Sequence, residues 1–333
     1  MLLQNGEYYL IKEAEIKLKG ADPLLFLGSE DKNIKVVEKH FKSNITVRGD
    51  VLKIKGEEKE IEDIKKVVTQ MLIELNKKGG LYEEDVKSII TYNEAGAFNG
   101  DDVDLDQVIV FTKSGYVKPR SEGQLRLYQS ALKNDIVIVI GPAGTGKTYL
   151  AVALAVSALK NKEVNRIILT RPAVEAGEKL GFLPGDLREK IGPYLTPLYD
   201  ALDEMMPSEK LRGLMDRRVI EIIPLAYMRG RTLNNAFVIL DEAQNTSPMQ
   251  VKMFLTRLGA SSKAIIAGDI TQIDLEPNQK SGLIGIQSIL KGIEGIKFVY
   301  LDSKDIVRHK LVKDIINAYE SLNGNDIEAR NSE

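Results

Sequence analysis

Residues 136–148 read Ile136-Val137-Ile138-Val139-Ile140-Gly141-Pro142-Ala143-Gly144-Thr145-Gly146-Lys147-Thr148. The first five are apolar and β-branched without a polar break, as a strand buried on both faces requires. The next eight satisfy G-x-x-x-x-G-K-[ST], and the apolar run from Tyr149 to Leu159 suits a helix. In the order strand, glycine loop, helix, backbone N–H groups wrap a β-phosphate and the helix N-terminus adds partial positive charge. The stretch predicts a nucleoside-triphosphate site. Gly141, Pro142, Ala143, Gly144, Thr145 and Gly146 form its cradle, Lys147 bridges the β- and γ-phosphates, and Thr148 holds Mg²⁺.

A partner motif lies downstream. Ala236-Phe237-Val238-Ile239-Leu240 is a second apolar strand and ends in Asp241-Glu242. Asp241 would reach Mg²⁺ through water, and Glu242 would orient or deprotonate an attacking water, a pairing suited to hydrolysis. Read alone, the pair is an exposed acidic strand end. A third strand, Ala264-Ile265-Ile266-Ala267, runs into Gly268-Asp269-Ile270-Thr271-Gln272. An amide at Gln272 could donate to a γ-phosphate and accept from water, or be an ordinary loop glutamine. Further strands are expected at 166–170 and 297–301. Strands alternating with helical segments imply an α/β fold with a parallel, doubly wound sheet.

Composition narrows the alternatives. The chain has 333 residues, 43% hydrophobic and 28% charged, and a net charge of −2. Those are globular values and exclude a uniformly basic nucleic-acid coat. With no cysteine there are no disulfides, thiolate metal sites or thiol nucleophiles, and with two histidines, His40 and His309, a histidine-rich metal centre is not expected. The N-terminus lacks a secretory layout and no apolar run approaches 18 residues, so a cytoplasmic protein without membrane contact is expected. Residues 1–110 hold 16 Lys/Arg against 22 Asp/Glu, the rest 30 against 26. An unperiodic stretch, Asn93–Gly100, followed by Asp101, Asp102, Asp104 and Asp106, suggests an acidic linker over 91–110. It would divide a small α+β unit (1–90) from a larger unit (111–322), with a polar tail at 323–333.

In the first unit, residues 45–48 and 51–55 alternate around Gly49-Asp50 and predict a hairpin. Ile61, Ile64, Val68, Met71, Leu72 and Leu75 predict a helix over 57–78, and residues 31–42 a shorter one. Gly28-Ser29-Glu30-Asp31 at the head of the short helix resembles the GxxG loop of KH domains, which clamps RNA backbone. Asp31 replaces the second glycine and Glu30-Asp31 puts acid where phosphate would sit. The alternative is that Gly28 starts a loop and Asp31 caps a helix.

Long ordered motifs carry a wider resemblance. Residues 141–153 (GPAGTGKTYLAVA), 170–202, 227–250, 268–275 (GDITQIDL) and 307–312 (VRHKLV) resemble the PhoH family of P-loop ATPases. The first unit is similar to the KH-related domain of the bacterial YbeZ-type members. The resemblance implies a RecA-like domain similar to the first such domain of superfamily 1 helicases, with ATP and Mg²⁺ as cofactors. It implies that Gln124 reads adenine, that Asp241–Gln244 match helicase motif II, that Gly268–Gln272 match motif III, and that Thr170-Arg171-Pro172 resemble motif Ia. The expected function is ATP hydrolysis in RNA metabolism: RNA remodelling or helicase work, with ribosomal RNA maturation beside a YbeY-type endoribonuclease. The alternative is an ATP-dependent switch that recruits protein partners. A superfamily 1 helicase closes a second RecA-like domain on ATP, for which the chain leaves no room. The expectation is therefore a homo-oligomer, a hexameric ring, with an arginine supplied in trans. Arg308 is the first candidate and Arg229 and Arg231 the next, each of which could equally be a surface salt-bridge residue.

Overall fold

The computed structural model describes residues 2–4, 7–9, 11–95, 105–172, 187–276 and 278–307. In the N-terminal unit, β1 (Leu2–Gln4) and β2 (Glu7–Tyr9) pair with each other. Strand β3 (Ile11–Lys17) is followed by helices α1 (Pro23–Leu27) and α2 (Lys32–His40), then by β4 (Asn44–Arg48) and β5 (Val51–Glu57). The three longer strands form an antiparallel sheet ordered β3-β5-β4, and α3 (Glu58–Lys78) and α4 (Glu83–Glu94) complete the unit. The hairpin and both sequence-predicted helices fall where their periodicity places them. Helix α3 buries Ile61, Ile64, Val68, Met71, Leu72 and Leu75 as one stripe, and ends at Gly79 in the left-handed conformation a helix C-terminus favours.

Strand β3 escapes a hydrophobic-pattern reading because it is mostly charged. Its exposed side chains pair across to the neighbouring strand and helix: Lys53–Glu15, Lys55–Glu13 and Lys12–Glu58. Opposite charges facing across strands stabilise a sheet whose outer face is wet. Asp31 does not cap α2. It sits at φ 59°, and an N-cap carboxylate reaches the first turn only from extended backbone.

The described ends of the expected linker, residues 91–95 and 105–110, are part of the fold. Thr91–Glu94 belong to α4, and Leu105, Val108, Ile109 and Val110 are buried apolar residues among the acids. Residues 96–104 lie outside the described residues, as does the tail at 323–333. Strands β6 (Val110–Thr112) and β7 (Gly115–Val117) form a hairpin between the units. Val108 and Phe111 enter the N-terminal core while Ile109 and Val110 enter the core of the second unit. Two lysines tie the same seam. Lys19 donates to the carbonyls of Asp106 and Val108, and Lys160 donates to Asn76 Oδ1 at 2.7 Å and the Phe111 carbonyl at 2.8 Å.

The second unit opens with α5 (Glu122–Lys133) and β8 (Ile136–Ile140), then α6 (Lys147–Lys160) and β9 (Arg166–Arg171). After α7 (Leu187–Met205), α8 (Ser208–Asp216) and β10 (Ile220–Pro224) comes β11 (Ala236–Leu240). Helix α9 (Pro248–Leu255), β12 (Lys263–Gly268), α10 (Gly282–Ile289) and β13 (Ile296–Tyr300) complete it. The sheet is six-stranded and parallel, ordered β10-β9-β11-β12-β8-β13. Odd and even residues separate cleanly. Val137, Val139, Ile167, Leu169, Phe237 and Ile239 pack towards α6 and α7, whereas Ile138, Ile140, Ile168, Val238 and Leu240 pack towards α9 and α10. The fold is the expected α/β one with a doubly wound parallel sheet, covered on both faces. Among the described residues no helix is long and apolar enough to cross a membrane.

Candidate active site

The carboxyl ends of β8, β11, β12 and β9 meet at one rim of the sheet, where open α/β sheets bind ligands. The loop after β8 turns with Gly144 at φ 82° and Gly146 at φ 80°. Gly141 lies flat against the end of β13: an added Cβ there would stand 2.7 Å from Leu301 Cβ. Thr145 is fully buried and its hydroxyl donates to the Pro142 carbonyl at 2.9 Å, closing the loop on itself. Lys147 Nζ lies over the loop entrance and donates to the carbonyls of Gly141 and Pro142. Helix α6 starts with no capping side chain, so the positive end of its dipole faces the loop uncovered.

Asp241 ends β11 beside this loop. Thr148 Oγ1 donates to Asp241 Oδ1 at 2.7 Å, so the two motifs touch directly. Asp241 is buried, and burial with the neighbouring Glu242 charge pushes its carboxyl above the usual range, against the pull of Arg171 and the Thr148 hydroxyl. Glu242 is held at φ 51°, a left-handed conformation uncommon outside glycine. Arg171, at the end of β9, donates to Glu242 Oε1 at 2.6 Å and, with its other terminal nitrogen, to the Tyr194 carbonyl of α7 at 2.8 Å. Gln244 donates to Glu242 Oε2 at 2.6 Å and accepts from the Asp269 N–H at 3.0 Å. That bond ties the end of β11 to the end of β12. Asp269 in turn accepts from the Thr271 backbone and hydroxyl, while its Oδ2 is buried without a hydrogen-bond partner among the described residues.

On the far side of the loop, a cleft of about 510 Å³ is lined by Lys118, Arg120, Gln124, Gly144, Tyr149 and Val307 among others. Gln124 is buried on the first turn of α5. It accepts from the Arg120 N–H at 2.7 Å and donates to the Thr145 carbonyl at 2.9 Å, bracing the phosphate loop from behind. Asp305 caps the same turn: it accepts from the Ser121 hydroxyl at 2.6 Å and the Gly123 N–H at 3.0 Å. Burial works to raise its carboxyl, but these hydrogen bonds win and hold it below the usual range. The Val307 N–H donates to the Gly144 carbonyl at 3.0 Å, which holds Val307 against the loop itself.

A model of the family described as PhoH-like protein matches residues 116–320. The chain belongs to the PhoH family. It is 49% identical over 312 residues to a PhoH-like protein of Bacillus subtilis, spanning 92% of this chain and 97% of that one. A PhoH-like protein of Synechocystis is 48% identical over 294 residues, 88% of this chain and 90% of its own length. Among solved structures, a Sulfolobus solfataricus SWI2/SNF2 ATPase core in complex with dsDNA covers 56% of this chain and 45% of its own, at 14% identity and a TM-score of 0.34.

For this PhoH family member, the structure brings Lys147, Thr148, Asp241 and Glu242 to one rim and puts Gln124 against the loop. Gln272 is exposed in the turn after β12, its backbone N–H bonded to the Asp269 carbonyl at 3.1 Å. Arg308 lies outside the described residues. Arg231 is committed within its own chain, both terminal nitrogens paired with Glu221, and Arg229 is exposed. Sequence reasoning missed Arg171, Gln244 and Asp305 as site residues. Arg171 and Gln244 stood inside quoted motifs, but nothing in one dimension shows that they meet at Glu242.

Proposed function

We propose that this PhoH family chain binds and hydrolyses ATP with Mg²⁺, and that turnover serves work on RNA. The observation that carries the reading is the 2.7 Å bond between Thr148 Oγ1 and Asp241 Oδ1, with Glu242 next in the chain. It joins a phosphate cradle to a carboxylate pair on the same rim. The donor set fits Mg²⁺: a hydroxyl and a buried carboxylate are hard oxygen ligands of the kind that ion takes, completed by phosphate and water. A cation there would also relieve the crowding of Asp241 by Glu242. When bound it would neutralise charge developing on the phosphates. The loop N–H groups and Lys147 hold the phosphates, the cleft beside Gln124 takes the base and sugar, and Glu242 orients and deprotonates water. Gln272 is the γ-phosphate sensor in this scheme.

Glu242→Gln tests it. ATP should stay bound while turnover falls at least 100-fold, the range in which a positioned base contributes. Turnover at the wild-type rate would overturn the assignment.

The RNA part rests on the PhoH resemblance and on the Gly28–Asp31 loop, which joins α1 and α2 in an order of elements that suits a KH-like unit. Glu30 and Asp31 are exposed on that loop, and this favours keeping the second reading, an ATP-dependent switch that recruits protein partners. Single-stranded RNA added to the full chain separates them: a raised ATP turnover supports RNA work, an unchanged one supports the switch. The same proposal includes cytoplasmic action, a hexameric ring, a YbeY-type endoribonuclease partner and an arginine in trans at Arg308. Mixing Arg308→Ala with Lys147→Ala subunits should restore part of the activity. No recovery in confirmed mixed assemblies would refute the trans arginine.

A further inference from the structure

The residue that holds Glu242 suggests how turnover is restrained. Both carboxylate oxygens are engaged: Oε1 by the Arg171 guanidinium and Oε2 by the Gln244 amide, each at 2.6 Å. The two holders differ in kind. Gln244 is buried, neutral and fixed by the Asp269 N–H, so it orients the carboxylate without cancelling its charge. Arg171 brings a full positive charge to the atom that would take a proton from water, and charge-assisted pairs of this geometry are the strong ones. Its side chain is 19% exposed, so water screens the pair only in part. The guanidinium is not anchored to Glu242 alone. Its other end is on the Tyr194 carbonyl, and its Nε stands 3.9 Å from Asp241 Oδ2, the carboxylate that meets the phosphate loop. A small rotation about the Arg171 stem would exchange one acidic partner for the other.

We infer that Arg171 is a positioning residue that restrains Glu242: while the guanidinium is paired with Oε1 the carboxylate is a poor acceptor for a water proton, and turnover requires that pair to open. The chemical competitor for the guanidinium on the rim is the Asp241 carboxylate, whose Oδ2 stands 3.9 Å from Arg171 Nε. Arginine prefers such acceptors because its fork matches them bidentately. Tyr194 adds a mechanical condition, since the position of α7 decides whether the guanidinium can be held at both ends. The inference rests on the assignment of Glu242 to water activation.

The test uses the full chain with ATP, Mg²⁺ and no added nucleic acid. Arg171→Met keeps the aliphatic stem and removes the guanidinium. It should raise basal kcat three- to tenfold and leave KM for ATP within twofold. Arg171→Lys keeps a cation but cannot span from Glu242 to Tyr194, and should give a smaller rise than methionine. Thermal unfolding identifies a variant that has failed to fold, and the lysine variant, the milder change, then decides by its own kcat against wild type. An unchanged or lowered kcat in folded Arg171→Met would overturn the inference, as would a lysine variant at least as fast as methionine. Glu242→Gln measured alongside separates the two claims. If it turns over normally, the water-activation reading fails. If it is inert and Arg171→Met is not faster, only the restraint fails.

Discussion

Lys160 gives the sharpest stability prediction. It leaves the C-terminal end of α6 and its ammonium is enclosed at the seam, bonded to Asn76 Oδ1 and the Phe111 carbonyl, with no carboxylate partner among the described residues. Burial first, and the nearby Lys210 charge second, push its pKa from 10.5 down to about 7. Below pH 7 both the folded and unfolded chains carry the charge, so the full cost of burying it is present. Between pH 7 and 10.5 the unfolded chain binds more protons than the folded one, and stability must rise with pH. From pH 6 to pH 9 the ceiling is about 2.6 kcal/mol. The residue as a whole is only half-buried, so screening reduces this to about 1–2 kcal/mol. Lys160→Met removes the titration and, through its two lost hydrogen bonds, shifts stability by a pH-independent amount. Urea unfolding of both proteins at pH 6, 7.5 and 9 gives the wild-type minus variant difference, in which every other titrating group cancels. That difference should grow in favour of wild type as pH rises. A flat difference, or one that shrinks with pH as for a lysine held by a carboxylate, would refute the reasoning.

Three further outcomes are expected. Gly123→Ala places a methyl group inside the space of the Asp305 carboxylate, so Asp305 must leave the α5 turn; ATP affinity should fall several-fold by equilibrium titration although no loop residue has changed. Phe111→Ala empties a fully buried site in the N-terminal core and should cost about 3–5 kcal/mol by denaturant unfolding. Gly141→Ala drives a Cβ against Leu301 and its carbonyl, displacing the phosphate loop from β13, and should abolish ATP binding by the same titration while the far-UV spectrum stays that of wild type.

Five of the six strands of the central sheet were legible as short apolar runs, and the bounds expected for β8 and β11 are the observed ones; β10 was not, because Glu221 and Pro224 interrupt its apolar pattern. The phosphate loop and Asp241-Glu242 were legible because their chemistry is packed into adjacent residues. What stayed hidden depends on distance along the chain. Arg171 and Glu242 are brought together only by the pairing of β9 with β11. Asp305 reaches Ser121 across 184 positions. Strand β3 was hidden by its charges, which are satisfied across the sheet rather than buried. At the C-terminal end of the expected linker, Leu105, Val108, Ile109 and Val110 are buried although Asp106 lies among them, so apolar burial rather than charge decides where residues 105–110 run.

The hairpin at β6 and β7 has a consequence for cooperativity. Neighbouring residues of one strand, Val110 and Phe111, serve different cores. Melting either core strips the strand from the other and uncovers apolar surface there. The free-energy cost of opening one half is thereby shared by both, and the two halves should denature together, as a single calorimetric transition, with the hairpin serving as the common keystone.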